Sequence, residues 1–425
     1  MNLTKFYFNT MKGAPILASE WGSLLNVIRT IAVTGFNELV VQAYQQEGLY
    51  LTLTFAEDHG YLKDQIIALS GSEQEEINSE FEVFATTLST IKIKIPSDTP
   101  VTGSLTCKTA GMGWTEVFTG EHKAVFRAKN IVNNPFYLRV DNSCPIGYDP
   151  TWAKFARVTM AEGMITIDDF ADFAKAPVYQ NISRDMNEYG NGVSGSTGIF
   201  GIAKWYHGIG YTGSSNYYAT EATTTYQSSN LNYEIIGDNS SIYLNLMSTT
   251  RKDSRSLYAF TPFIKINSKD SLNGFLSASY GYRRANESGP RYTYGNNSMG
   301  NIWHSLESEG KYGLSSWNGL TNISPTFGPV SLNLGNNQQI SGRSNNIPFP
   351  NPGSNSVILS DIYLKESGDG GIRGTLPLLK WINNNWIYGN QFILTQENVK
   401  YIIIGNDYND EGMTSFFAYK LDRGL

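Results

Sequence analysis

Residues 113–142, GWTEVFTGEHKAVFRAKNIVNNPFYLRVDN, restrict the fold more than any other stretch of the chain. Trp114, Glu116 and Phe118 alternate ahead of a turn at 119–122, and residues 123–127 lead back. A polar break closed by Pro135 opens a third alternating run at 136–141. Successive side chains of a strand point to opposite faces. A period of two, rich in β-branched and aromatic residues and bounded by Gly, Asn and Pro, therefore predicts a half-buried antiparallel meander. The stretch carries no nucleophile with a base, no metal-ligand spacing and no phosphate loop. It reads as a rigid sheet.

The order GW-x-x-x-F-(T/S)-G-x-x-K-A-V-(F/Y)-R at 113–127, then (F/Y)-L-R-V-D at 136–141, then W-A-K-(F/Y)-A-(R/K)-V at 152–158, resembles a family of tailed-bacteriophage virion proteins. Met11-Lys12-Gly13-Ala14-Pro15 with a helix ending at Thr34-Gly35-Phe36 is similar to the opening of that family, and Ile372-Arg373-Gly374-Thr375-Leu376-Pro377 to its closing hairpin. Roughly the first 170 residues and the last 60 carry the likeness. The resemblance implies a place in the tail, baseplate or a tail-attached sheath or appendage. It marks Trp114, Gly120, Lys123, Arg127, Arg139, Asp141 and Trp152 as structural motif residues. It implies no reaction.

At 425 residues the chain has length for more than one core. Prominent Gly (41), Tyr (26) and Phe (21) with only 16% charged residues suit a mainly β protein with many turns. The expected class is β-rich α+β. An N-terminal α+β domain comprises 1–36 and 110–175, and a small sandwich or barrel is inserted at 37–109. A larger antiparallel domain follows at 176–425, with a long loop region at 285–356. Within the first part, 5–8 reads as a strand. Ser19 is the expected N-cap of a helix through about Ile31, with Leu24, Leu25, Val27, Ile28 and Ile31 on its apolar side and Gly35 as its stop. The insert offers strands at 38–44, 50–55, 65–69, 81–86, 91–95 and 102–108. Later strands are expected at 233–236, 241–247, 256–266, 274–282, 357–364, 386–394, 401–404 and 415–421.

Several chemistries fail on their own spacing. At 190–198 the position two after Ser194 is Ser196, so no nucleophile elbow forms, and no Lys follows to make a phosphate loop. Asp168, Asp169 and Asp172 lie at helical spacing and are expected as a solvated acidic turn rather than a cation site. The run at 407–412 begins like a calcium loop, but Ala418 stands where the bidentate Glu belongs, so a hairpin is expected. The histidines (His59, His122, His207, His304) are dispersed, and Cys107 and Cys144 are expected as separate thiols. No catalytic residue, cofactor or metal is assigned.

A net charge of −6 with interspersed signs argues against nucleic acid as a partner. The N-terminal residues lack an apolar signal core and no run reaches membrane-spanning length, so neither export by a signal nor membrane insertion is expected. Arg283, Arg284, Arg291, Tyr292 and Tyr294, with Trp303 and Trp317 beyond, form the candidate interface, because Tyr, Trp and Arg are enriched where proteins meet. The expected partners are copies of the chain, forming a ring or other oligomer, and neighbouring tail proteins. The expected location is the virion, after synthesis and assembly in the host cytoplasm. A host-surface receptor or glycan, met through 190–356, is the alternative partner, and a polysaccharide depolymerase ranks last.

Overall fold

The computed structural model describes residues 3–145, 148–151, 154–168, 203–208, 230–247, 255–266, 273–278, 311–314, 328–329, 359–365, 372–382, 390–409 and 412–421. Over these residues the protein is mainly β, and each strand pair is antiparallel.

The opening strand, Lys5–Phe8, is buried along its whole length and pairs with Asn232–Gly237, Lys5 facing Gly237 and Phe8 facing Glu234. The helix runs Ser23–Arg29 and widens into a π turn at Thr30–Thr34, where the Gly35 amide donates to the Thr30 carbonyl. Leu24, Leu25, Val27, Ile28 and Ile31 are buried, as their spacing predicts. The start differs from expectation. Gly22 (φ 84°) is the N-cap, and the Ser19 hydroxyl takes no part in capping. The orphan amides of Leu24 and Leu25 donate instead to Asn142 Oδ1, at 3.0 and 3.4 Å. A partner more than a hundred residues away does the work of a local cap.

Residues 36–109 form a seven-stranded sheet in the order Phe36–Val40, Gly103–Thr109, Ile66–Ser72, Glu80–Thr86, Thr90–Lys94, Tyr50–Thr54, Ala43–Glu47. The expected strand at 38–44 is in fact two, at opposite ends of this order, joined by Val41 and Gln42 alone. Two linking residues reach only about 10 Å even when extended. The sheet must therefore curl until its edges face each other, which makes a half-barrel. Side chains close the seam: Tyr44 Oη donates to Gly103 O, Gln46 Nε2 to Thr99 O, and the Val101 amide to Gln46 Oε1. Leu51, Leu53, Ile67, Leu69, Val83, Ile91, Ile93, Leu105 and Cys107 fill the interior as a cluster of their own. Alternate residues of each strand point into it, the half-burial that a period of two predicts.

The meander has the order Ala203–Gly208, Lys154–Ala161, Tyr137–Asp141, Lys123–Ala128, Trp114–Thr119. Its edge strand Trp114–Thr119 is half-buried, as the alternation predicts, but the inner strands are more deeply covered. Ala124, Phe126, Leu138, Val140, Ala156 and Val158 face the main core, and the opposite face is also covered, so that every residue of Lys154–Ala161 is buried.

A third sheet continues from Asn232–Gly237 through Ile242–Met247, Arg255–Pro262, Gly274–Ala278 and Lys311–Leu314. The single strand expected at 256–266 breaks at Phe263 after Pro262, whose ring nitrogen has no hydrogen to donate to a ladder. Ile264–Lys265 then joins a different sheet, opposite Thr375 and Gly374. That last sheet contains Gly328–Pro329, Leu359–Lys365, Ile372–Ile382, Gly412–Leu421, Val399–Asn409 and Phe392–Gln396. Asn409 pairs with Gly412, so Val399–Asn409 and Gly412–Leu421 form the hairpin expected there, and residues 410–411 are outside the described set. The strand expected at 386–394 lies at Phe392–Gln396, and residues 383–389 are outside the described set.

One core joins Phe6, Leu24, Trp114, Phe126, Tyr243, Phe260, Ile402 and Tyr419. The division expected at 175/176 is therefore not a boundary: strands from either side of it pair, 5–8 with 232–237 and 154–161 with 203–208. Burial decides this, because neither part covers its own apolar face alone. Cys107 and Cys144 are both free thiols. Among the described residues, no helix is long and apolar enough to cross a membrane.

Candidate functional site

On the outer face of the meander the strand registers line charges up in rows. Lys123, Asp141 and Arg157 stand opposite one another across three strands, next to the row Val125, Arg139, Thr159, and then Arg127, Tyr137, Ala161. The alternation that sends Phe126 and Leu138 into the core sends Lys123, Arg127, Arg139 and Asp141 to this face. Residues 162–168 fold back over it. Met164 and Ile167 of this strap pack on Val125, Ala161, Phe118 and Tyr137.

The strap is held by the motif residues. Arg139 is 1% exposed; its Nε donates to Ile167 O at 2.8 Å, and one terminal nitrogen donates to Asp168 Oδ1 at 2.6 Å and Asp141 Oδ2 at 3.2 Å. Lys123 Nζ donates to the other Asp168 oxygen at 2.9 Å. Arg157 reaches Asp141 Oδ2 at 2.9 Å and Ser143 Oγ at 3.0 Å. Gly120 closes the hairpin, its amide donating to Lys123 O; a Cβ there would sit 3.2 Å from Ile167 Cδ1. Arg29, at the end of the helix, grips Glu116 through two nitrogens at 2.7 and 2.8 Å and donates to Gly120 O. Arg127 lies 4.6 Å over the Tyr137 ring directly across the ladder. Trp114 is fully buried against Phe260, and its indole N–H donates to Asp238 O at 2.8 Å.

The electrostatics follow from this geometry. Burial by itself would raise the Asp141 carboxyl, but Arg157, Arg139 and the Ser143 hydroxyl outweigh it and hold the value below the usual range. For Asp168 burial again pulls upward, and hydrogen bonds from Lys123 and Arg139 bring it down. A general acid needs a carboxyl kept protonated near neutrality, and both of these are displaced the other way. Asp168 lies in an exposed turn, as its spacing predicts, and there pairs with Lys123 and Arg139 as a clasp; residues 169–172 lie outside the described set.

A second centre joins the helix to this sheet. Asn142 is fully buried, caps the helix through Oδ1, and donates from Nδ2 to Phe155 O at 3.0 Å and His207 Nε2 at 2.8 Å. Burial pushes the His207 imidazole down to about 3, so it stays neutral.

The structure therefore gathers Gly120, Lys123, Arg139 and Asp141 around one strap, with Arg127 on the same face and Trp114 on the opposite one. Trp152 lies outside the described residues, as do Arg283, Arg284, Arg291, Tyr292, Tyr294, Trp303 and Trp317 of the candidate interface. Sequence reasoning missed Arg157 and Asn142. The odd-numbered alternation of Arg157 with Thr159 was a legible signal for the first, and nothing local marked the second. Among the described residues, no group of three His, Cys, Asp or Glu side chains is placed to hold a metal. Comparison with protein-family models and with curated proteins gives no match for this chain.

Proposed function

We propose that the chain is a non-catalytic structural component of a tailed-phage particle, acting in the tail, baseplate or a tail-attached sheath or appendage by assembly with copies of itself and neighbouring proteins. The sequence blocks supply the class. One observation carries the role: the charged motif residues Lys123, Arg139 and Asp141 are engaged in bracing a sheet whose strand Lys154–Ala161 is buried along its whole length. Charges locked against one another in this way stiffen a scaffold. A subunit that repeats in an assembly needs such rigidity, because its contact surfaces must recur with the same shape.

Mass spectrometry of purified particles is the test, and the chain is expected among their proteins in stoichiometric amount. Its absence from them sinks the reading. Deleting residues 285–356 separates assembly from attachment. Loss of intact particles supports the structural role, whereas intact particles that no longer adsorb move the role to host-surface binding.

A further inference from the structure

The half-barrel leaves the rest of the chain through a narrow neck. Phe36 pairs with Thr109, and beside them Gly35 (φ 71°) and Gly111 pass so close that a Cβ would stand 2.0 Å from Thr109 O or 2.5 Å from Val33 O. One strand pair fixes where the barrel begins but not its angle, since two-stranded ribbons twist over a wide range. The barrel core is separate from the main core. Beside the neck, the turn at Met11–Gly13 also touches the barrel: Lys12 Nζ donates to Asp58 O, and a Cβ on Gly60 would stand 2.5 Å from Lys12 Cβ. Contacts farther from the neck have the longer lever on the orientation.

Strand Glu80–Thr86 buries Phe81 and Val83 and turns Glu80 and Glu82 outward, toward the rest of the chain. Glu80 meets Lys5 Nζ at 2.6 Å; Lys5 is 3% exposed and also donates to Gly111 O in the neck. Glu82 meets Lys400 Nζ at 2.7 Å, and Asp64 meets the same ammonium at 2.5 Å. Asp64 is held for this in a left-handed conformation (φ 65°), with its amide on Val83 O. Lys400 follows a tight turn at Glu397 and Asn398 (φ 50° and 64°), which fixes the strand that carries it. Two carboxylates thus converge on one cation from more than three hundred residues away in sequence.

We propose that Asp64, Glu82 and Lys400 form a latch that sets the angle of the barrel on the rest of the molecule, with Lys5–Glu80 as the inner pivot. Opening the latch frees the barrel to turn about its neck while both parts stay folded. Lys400 is a third exposed on its side chain, so dissolved ions reach the latch, whereas Lys5 is sealed. Burial pulls the Lys400 ammonium down, but hydrogen bonds to Asp64 and Glu82 more than restore it and keep it charged.

The test is a distance measurement by pulsed electron resonance on the full chain. Spin labels go on Gln45→Cys in the barrel and Val132→Cys on the exposed turn held by Asn130, in a Cys144→Ser background. One narrow distance peak is expected for the parent protein. Lys400→Gln, and separately Asp64→Asn with Glu82→Gln, should lose that peak to a broad distribution, with circular dichroism unchanged. Exchanging the charges, Glu82→Lys with Lys400→Glu in an Asp64→Asn background, should restore it. The two sets of substitutions change opposite sides of the contact, so the idea remains testable if one variant does not fold. An unchanged narrow peak in folded Lys400→Gln, or in folded Asp64→Asn with Glu82→Gln, overturns the latch.

Discussion

Asn142 shows how much one buried amide can hold together. Its oxygen caps the helix and its nitrogen serves Phe155 and His207, so its side chain touches helix and two strands at once. Asn142→Leu, close in volume, orphans the amides of Leu24 and Leu25 and is expected to cost about 1–3 kcal/mol. Urea denaturation of the two proteins measures it, and Asn142→Asp, which keeps the accepting oxygens, should retain part of the helix contribution. His207 supplies a pH signature. Its folded value of about 3 lies below the unfolded value of about 6.5, so the unfolded chain binds more protons between them. Stability is full above about pH 6.5 and falls toward about pH 3, by up to about 1.4 kcal/mol per pH unit. The lowered carboxyls of Asp141 and Asp168 act in the same direction at lower pH: their contribution is present above about pH 4 and disappears as pH falls through the folded values. His207→Gln should flatten the upper window and leave the lower one, which urea midpoints taken across pH 3 to 7 would reveal.

The neck, the strap and the strand that changes sheets are the elements on which the architecture turns. Gly35 has a positive φ and no room for a Cβ beside a backbone oxygen. Gly35→Ala therefore meets both penalties, about 1–3 kcal/mol of backbone strain plus a contact that only backbone movement relieves. A lowered melting temperature with slower migration in native gels is expected; an unchanged melt would mean the neck is looser than drawn. The strap depends on Lys123, Arg139 and Asp168. Because Asp168 is about half exposed, Lys123→Met is expected to change stability by under about 1 kcal/mol, whereas Arg139→Met removes a buried guanidinium from Ile167 O, Asp168 and Asp141 together, leaving Asp141 to Arg157 and Ser143, and should cost more. Thermal melts of the two single variants rank them. The hairpins were legible in the chain because their turns and alternation are local. The break at Phe263 was half-legible: Pro262 announced an interruption, but where the next two residues would pair was set by Gly374, whose missing side chain lets the Ile264 carbonyl come close.

At the scale of the molecule, the barrel has its own core and sheet, while the rest shares one core drawn from both ends of the sequence. An excised 36–109 fragment is expected to melt cooperatively and give a dispersed amide spectrum, and collapse into an unfolded chain would show that its core needs the main body. Removing residues 359–421 should instead unfold the remainder, because Ile402, Phe417 and Tyr419 complete the core around Tyr243. The sequence alone determined what a few neighbouring residues can encode: strand alternation, hairpin turns, the apolar side of the helix and the glycine stops. Tertiary structure decided which distant pieces meet. Lys5–Phe8 lies beside 232–237, Asn142 caps a helix it follows by more than a hundred residues, and a charged face is covered by its own strap. The physical reason is that periodicity records only which side of an element is apolar, whereas the partner for that side is chosen by burial summed over the whole chain.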